Sequence, residues 1–245
     1  MAGHRELVEM QGDARKDGVR EMFNRISGRY DLLNHLLSGG MDILWRRKAV
    51  NLLGVAADES YLDLATGTGD YAREILKRGP RRVIALDLAP EMLVHLKRKA
   101  ESWPRAERLE VIQGDAENLP FENGCVQGVT IGFGIRNFPD RPRALRECAR
   151  VLSPGGRLVI LELAGIPNPL LRRVFDLYFH FVLPPLGGLI SGDREAYRYL
   201  PASVARFPER EEFLGWMRQS GFRDCRCIDL SLGIASIFYG VRDTD

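Results

Sequence analysis

The sequence has no long apolar run, few cysteines and few histidines. No stretch of about eighteen uninterrupted apolar residues occurs, so we expect no transmembrane helix. No apolar run follows the first residues, Met1 to Glu6, which argues against a secretory signal. The four cysteines make no disulfide framework, and Cys225 and Cys227 have no histidine near them in sequence to complete a metal site. We therefore expect a cytoplasmic protein that binds no metal.

The chain also lacks a strong excess of either charge. It has 35 Lys and Arg against 33 Asp and Glu, a formal net charge of +2, and no long basic arm. This balance argues against a surface built for nucleic acid. The 245 residues, 45% of them hydrophobic, are enough to bury a substantial core.

A glycine-rich turn gives the first indication of a site. Residues Tyr61 to Asp70 read Tyr-Leu-Asp-Leu-Ala-Thr-Gly-Thr-Gly-Asp, a short apolar strand followed by two glycines and a helical pattern. In an α/β sheet such a turn presents backbone N–H groups to a ligand at the carboxyl edge of the strands. Gly67 and Gly69 leave room for a nucleoside to lie against the backbone. Taken alone, the same pattern also fits an ordinary tight turn.

Two further strands end in the same way. Strand patterns at Arg82 to Asp87 and Leu109 to Gln113 alternate with helical patterns, which predicts a mostly parallel sheet with helices on both faces. Asp63, Asp87 and Asp115 then share one edge of the sheet. An acid after the second strand is typical of a residue that binds ribose hydroxyls. These three acids together predict a nucleoside site.

The residues after the turn favour a cationic nucleoside over a dinucleotide. Ala72 stands where dinucleotide-binding turns place a third glycine or an alanine, so the pattern alone does not exclude NAD. Asp70, directly after the second glycine, is unfavourable beside a diphosphate and favourable beside a sulfonium and an amino group.

Several motifs together resemble known families. The glycine turn, Asp87, Gly114-Asp115-Ala116 and Arg150-Val-Leu-Ser-Pro-Gly-Gly156 resemble the class I S-adenosylmethionine-dependent methyltransferases. More selective motifs resemble the menaquinone and ubiquinone biosynthesis C-methyltransferases, over about residues 20 to 242. They are Tyr30-Asp-Leu-Leu-Asn34, Trp45-Arg-Arg47, Thr130-Ile-Gly-Phe-Gly-Ile-Arg-Asn137, His180-Phe-Val-Leu-Pro184, Tyr197-Arg-Tyr-Leu200, Phe207-Pro208 and Gly233-Ile-Ala235.

The resemblance implies a fold class and a domain organisation. We expect an α/β, Rossmann-like, doubly wound sheet of seven mostly parallel strands, with an antiparallel last strand. The prediction is a single domain over residues 1–245. It divides into an N-terminal helical cap (1–58), a cofactor-binding core (59–165), a helical insertion after the fifth strand (166–209), and a closing helix and strands (210–245).

The resemblance also implies that S-adenosyl-L-methionine is the cofactor. The family's donor contacts fall on Thr68, on Asp87 for the ribose, and on Asp115 with Ala116 beside the adenine. To these we add Asp63, Gly67, Gly69 and Gly132, the last in a turn where the family usually has Ser or Gly. Asp42 departs from the pattern, because many members carry His there.

The resemblance further implies that the acceptor is a polyprenyl quinol. Methylation of a ring carbon requires an adjacent ring hydroxyl to lose its proton, and a positive charge to stabilise the resulting oxyanion. A guanidinium is a poor base. We therefore predict that Arg136 is the electrostatic partner and Asn137 its orienter, with Tyr30, Asn34, Tyr178 and Tyr199 on the substrate side. A structural ion pair of Arg136 with an acid such as Asp140 is the alternative.

Residues 167 to 190 are the most apolar part of the chain. A helix here could line a tunnel for the isoprenoid tail, or could equally be a buried insertion or a dimer interface. Peripheral contact with the inner face of the membrane and a homodimer are further hypotheses.

We predict C-methylation of demethylmenaquinol to menaquinol. The benzoquinol of the ubiquinone pathway, or both acceptors, is the alternative. A small-molecule O-methyltransferase and a donor-binding module without activity are more distant. A nucleic-acid methyltransferase is disfavoured because Gly132-Phe-Gly-Ile-Arg136 replaces the Asn/Asp-Pro-Pro-aromatic turn expected after the fourth strand.

Overall fold

The computed structural model describes residue 7, residues 9–177 and residues 194–244. Its strands are β1 Ser60–Leu64, β2 Arg82–Asp87, β3 Leu109–Gln113, β4 Val126–Gly132, β5 Leu152–Glu162, β6 Phe222–Leu230 and β7 Ala235–Arg242. The longer α-helices are α1 Gly12–Ile26, α2 Tyr30–Leu37, α3 Met41–Leu53, α4 Asp70–Leu76, α5 Pro90–Ala100, α6 Arg141–Val151, α7 Pro169–Leu177, α8 Arg194–Ala205 and α9 Arg210–Gln219.

The strands form one sheet in the order β3-β2-β1-β4-β5-β7-β6. Strands β1 to β5 pair in parallel, and β7 is antiparallel to both of its neighbours. The predicted fold class is thereby confirmed. Strand order reverses between β1 and β4, and open α/β sheets bind ligands outside the carboxyl ends of the strands at such a switch point.

Two apolar clusters cover the two faces of the sheet. On one face, side chains of β1, β4 and β5 pack against α6 and α9, with Leu145 and Phe213 fully buried. On the other face, α3, α4 and α5 cover the sheet, with Ala49, Ile75 and Leu96 fully buried. Burial on both faces explains why the parallel strands are almost continuously apolar.

The N-terminal helices lie beside the carboxyl end of β2. Helix α1 buries Val19, Met22 and Ile26, then continues as a short 3-10 helix, Ser27–Arg29. This apolar face packs with Met92 of α5 and Tyr199 of α8. The segment after β5 therefore meets the N-terminal helices beside the strand ends.

The apolar segment 167 to 190 lies partly outside the described residues. Its described part is α7, on which Leu170 and Leu177 are exposed. The predicted tunnel for an isoprenoid tail covers residues 167 to 190, of which residues 178–190 lie outside the described residues. Within the described ranges, none of the helices combines the length and apolar character needed to span a bilayer.

Candidate active site

A cleft of about 730 Å³ opens at the carboxyl ends of β1, β2 and β4. Its polar lining includes Asp87, Asp115 and Asn137. Its apolar lining comes from the N-terminal helices, from the end of β2 with the residues that follow it, and from the segment after β4. These side chains are Val19, Phe23, Tyr30, Leu86, Leu88, Met92, Phe133 and Phe138.

Asp87 fastens the glycine turn to the end of β2. Its carboxylate accepts hydrogen bonds from the N–H groups of Gly67 and Ala89, each at 2.8 Å. Burial raises the pKa of Asp87, and these hydrogen bonds offset part of that rise. Helix α5 begins at Pro90 with Ala89 as its N-cap residue, so Asp87 is not the helix cap. Its carboxylate lies in the cleft wall, beside Gly67, where a ribose would meet it.

Asp115 and Ala116 line the same cleft, next to Gly114. One oxygen of Asp115 accepts a hydrogen bond from the Glu117 N–H at 2.8 Å. The other lies 2.7 Å from Nζ of Lys16, which also lies 2.7 Å from Glu117. Lys16 comes from α1, so the cap is tied by charge to the predicted adenine end of the site.

Asp63 lies below the turn rather than in the open cleft. It is fully buried, and its oxygens accept hydrogen bonds from the hydroxyls of Thr66 (2.6 Å) and Thr130 (2.8 Å) and from the Ala72 N–H (3.2 Å). Desolvation raises its pKa to about 6, although these hydrogen bonds and Arg46 act in the opposite direction. Asp63 therefore joins β1, β4 and α4 beneath the glycine turn.

A second, smaller cavity of about 320 Å³ lies at the other side of the turn. Tyr30, Ala65, Gly67 and Gly132 belong to the walls of both cavities. The remaining lining residues of the small cavity are mostly polar. They are Arg46, Asp63, Thr66, Thr68, Asp70 and Tyr71. The two cavities together offer a long site with an apolar part and a charged end.

A charged network closes the small cavity. The Thr68 hydroxyl donates to Asp31 of α2, and the Lys99 ammonium lies 2.9 Å from Asp70 and also contacts Asp31. Burial alone would raise the pKa of Asp70, but Arg46 and Lys99 outweigh it and hold that pKa below its ordinary value. Asp70 is therefore ionised at neutral pH.

Arg46 carries the positive charge of this cavity from α3. It is buried, donates to the Asp42 carboxylate, and lies 3.8 Å from Asp70. His35 Nδ1 and the Ser38 hydroxyl also bind Asp42, at 2.7 and 2.8 Å. Asp42 is thus the counter-charge that orients Arg46.

Arg136 is buried behind the cleft wall, in a short 3-10 turn after β4 (Ile135–Asn137). Its Nη1 lies 2.7 Å from Oε1 of Glu162 at the end of β5, and its backbone N–H donates to the other oxygen at 3.1 Å. Desolvation would lower the pKa of this guanidinium, but Glu162 outweighs it and the pKa is raised. Asp140, the predicted alternative partner, instead caps α6 by accepting from the Arg143 N–H.

Asn137 lines the cleft, and its Oδ1 accepts a hydrogen bond from the Tyr199 hydroxyl at 3.1 Å. Tyr199 is buried on α8, and Tyr30 lines both cavities, so two of the predicted substrate residues lie beside the site. The side chain of Asn34 and the whole of Tyr178 lie outside the described residues.

The remaining predicted glycines differ in position. Gly67 and Gly132 line both cavities, whereas Gly69 lines neither. Gly69 has φ +86°, and an added Cβ would lie 2.8 Å from Leu96 and Trp103, so a glycine is needed here for the backbone conformation and for packing.

Comparison with known proteins decides the family. The ubiE/COQ5 methyltransferase family matches residues 10–242. The chain belongs to this family. Demethylmenaquinone methyltransferase of Thermus thermophilus is 49% identical over 222 residues, which are 90% of this chain and 100% of that protein. Ubiquinone/menaquinone biosynthesis C-methyltransferase UbiE of Syntrophotalea carbinolica is 48% identical, over 91% of this chain and 94% of that protein.

Solved structures support the same fold. A SAM-dependent methyltransferase of Thermotoga maritima has a TM-score of 0.64 at 21% identity, over 90% of this chain and 98% of that chain. One from Aquifex aeolicus has a TM-score of 0.60 at 17% identity, over 82% of this chain and 92% of that chain. This ubiE/COQ5 family member is an S-adenosylmethionine-dependent methyltransferase, and S-adenosyl-L-methionine is its cofactor.

The residues present fit this cofactor. An acid at the end of β2 suits the ribose, and the apolar cleft beyond it suits the adenine. The charged small cavity suits a methionine end that carries both a carboxylate and an ammonium group.

Sequence reasoning assigned no role to Arg46, Tyr71, Lys16 or Glu162. Arg46 stood in the quoted Trp-Arg-Arg motif, and Glu162 is a fourth acid at a strand end. Those two signals were present in the sequence. Lys16 and Tyr71 carry no such signal in the sequence, because their positions in the site depend on how α1 and α4 pack.

Proposed function

We propose that this enzyme transfers a methyl group to a ring carbon of a demethylated polyprenyl quinol, with demethylmenaquinol as the acceptor. The names of the relatives support this, since the Thermus thermophilus protein is a demethylmenaquinone methyltransferase. The benzoquinol of the ubiquinone pathway is the second candidate, because the relatives from Syntrophotalea carbinolica and Dinoroseobacter shibae carry both quinones in their names.

The observation that carries the proposal is the fixed positive charge behind Asn137. When bound, S-adenosylmethionine supplies an electrophilic methyl group on its sulfonium. The acceptor's ring carbon becomes nucleophilic as the neighbouring hydroxyl loses its proton, and the oxyanion needs a cation that does not have to reorganise. Arg136 meets this requirement, because Glu162 and the Phe133 carbonyl hold its guanidinium and the raised pKa keeps it charged.

Asn137 and Tyr199 complete the acceptor side of this proposal. The Tyr199 hydroxyl donates to the Asn137 carbonyl oxygen, which leaves the Asn137 amide group to donate toward the cleft. Tyr30 lies where the two cavities join, so its ring is placed to separate the acceptor from the charged end. We propose that these residues hold the quinol ring in line with the methyl group.

The assay uses the donor with a labelled methyl group and both acceptors, demethylmenaquinol and the demethylated benzoquinol. We expect methylation of demethylmenaquinol on carbon, shown by product analysis that separates carbon from oxygen methylation. Turnover of the benzoquinol alone would show that the benzoquinol, and not demethylmenaquinol, is the acceptor. Turnover of neither acceptor, with donor binding intact, would overturn the proposed function.

The role of Arg136 is tested in the same assay. Arg136→Met should lower turnover about 100-fold or more, the loss expected for one oxyanion-stabilising group. Arg136→Lys should keep part of the activity. Arg143→Met is the matched control, since that side chain is exposed on α6. Full activity of Arg136→Met would remove Arg136 from the mechanism.

We further propose that the cap contacts the membrane that holds the acceptor. Leu32 on α2 and Leu44 on α3 are 60% and 54% exposed. Replacing both with Ser should reduce co-sedimentation with quinone-containing vesicles, whereas Leu232→Ser, between β6 and β7, should not. Equal recovery of all three proteins with the vesicles would contradict this.

A homodimer remains part of the proposal, and light scattering tests it.

A further inference from the structure

Tyr71 has a buried hydroxyl with no hydrogen-bond partner among the described residues. It is the second residue of α4, directly after Asp70, and only 3% of the residue is exposed. One other buried side-chain polar atom in the described ranges shares this condition, Nε of Arg15. Buried hydroxyls are normally paired, so an unpaired one in the wall of a cavity calls for a partner that the protein itself does not supply.

The ring of Tyr71 is placed by Gly132. A Cβ added to Gly132 would lie 2.5 Å from Cδ2 of the ring, closer than real Cβ atoms come. Tyr71 and Gly132 both line the small cavity. The absence of a side chain at the end of β4 therefore makes room for the tyrosine ring in the cavity wall.

The electrostatic surroundings make this hydroxyl a hydrogen-bond donor. Burial, and then the nearby Asp63 carboxylate, raise the pKa of Tyr71 far above its ordinary value, so the side chain is a neutral phenol. Asp63 already accepts three hydrogen bonds and does not receive the Tyr71 proton. Arg46 is close enough to act electrostatically on the same hydroxyl.

We propose that the Tyr71 hydroxyl and the Arg46 guanidinium bind the α-carboxylate of the donor's methionine end in the small cavity. The carboxylate accepts a charge-assisted bond from Arg46 and the hydrogen bond that Tyr71 lacks. Asp70, ionised at the same cavity, faces the ammonium group. Lys99 is the other nearby cation, but it binds Asp31 and Asp70 and does not line the small cavity, whereas Arg46 does.

The proposal rests on the donor, not on the quinol. Its test therefore measures binding without any acceptor, so that failure of the proposed acceptor leaves the result unaffected. The probes are S-adenosylmethionine and decarboxylated S-adenosylmethionine, which differ only in the carboxylate. Isothermal titration calorimetry gives the dissociation constant of each.

Tyr71→Phe removes only the hydroxyl and should fold normally, because that oxygen has no partner to lose. We expect its affinity for S-adenosylmethionine to fall about tenfold, as for one hydrogen bond to a charged group. Its affinity for the decarboxylated ligand should stay within about twofold. An unchanged affinity for both ligands, or an equal loss for both, would overturn the proposal.

Arg46→Met tests the second partner, with Arg47→Met as its matched control on the exposed side of α3. Arg46→Met should lose most of the preference for S-adenosylmethionine over the decarboxylated ligand, and Arg47→Met should keep it. If Arg46→Met fails to fold because Asp42 loses its partner, the Tyr71→Phe result alone decides. Retention of the full preference in folded Arg46→Met would remove Arg46 from the site.

Discussion

Nη1 of Arg136 lies 2.7 Å from Oε1 of Glu162, and the two side chains are 7% and 0% exposed. The pair joins the turn after β4 to the carboxyl end of β5, two strands that are neighbours in the sheet. Glu162 also accepts from the backbone N–H of Arg136, so it fixes both the charge and the turn that carries it. The position of the guanidinium is thus set by the sheet itself.

Glu162→Gln should destabilise the protein by about 3 kcal/mol, because it leaves the Arg136 charge buried without a counter-charge. The free energy of unfolding, measured in urea, checks this. Glu110→Gln is the control, since Glu110 forms an exposed pair with Arg82 and its loss should cost less than about 1 kcal/mol. Equal effects of the two substitutions would show that the buried pair contributes little.

Asp63 should make the protein less stable as pH rises from about 4 to about 6. Its pKa is about 6 when folded, above the ordinary value of 3.8, so the native state binds more protons in this window. Stability is then lost with rising pH, by at most about 3 kcal/mol.

Asp63→Asn removes this titration. The curves of unfolding free energy against pH for the wild type and the variant should therefore have different slopes between pH 4 and 6 and the same slope above pH 6. Comparison with the variant is needed because the lowered pKa values of Asp42 and Asp70 act in the opposite direction. Parallel curves over the whole range would contradict the raised pKa of the buried Asp63.

Asp87→Asn should weaken S-adenosylhomocysteine binding by about tenfold or more. The change removes the charge that we predict accepts the ribose hydroxyls, and it weakens the bond that holds Gly67. Calorimetry without acceptor measures the effect. Asp58→Asn is the control, since Asp58 is exposed before β1. An unaltered dissociation constant for Asp87→Asn would show that Asp87 does not bind the ribose.

Gly132→Ala should destabilise the protein by about 1–3 kcal/mol, because the new Cβ meets the Tyr71 ring at 2.5 Å. Combining it with Tyr71→Leu should recover part of that loss, and the thermal midpoint of each variant measures it. Gly215→Ala on α9 is the control. An added Cβ there meets nothing within 4 Å, so helix propensity should make it neutral or stabilising. Additive effects at positions 71 and 132 would argue against their contact.

The sequence predicted what depends on local pattern. Strand β2 and strand β3 have the predicted ends, and Asp87 and Asp115 line one cleft because parallel strands end at one edge. Contacts between distant segments were not predictable. Asp140 was the acid near Arg136 in sequence, but the parallel pairing of β4 and β5 brings Glu162 to it from 26 residues away. The ring of Tyr71 over Gly132 likewise depends on how α4 packs on β4.

The ion pair of Arg136 and Glu162 also limits what a pH–rate profile can report. Because the guanidinium stays protonated at every pH at which the protein is folded, neither limb of such a profile can belong to it. An acidic limb would come from another group, such as the Asp63 carboxyl, and an alkaline limb from a group such as the acceptor's own hydroxyl. The pH dependence of the rate would therefore carry no information about the charge on which the proposed chemistry depends.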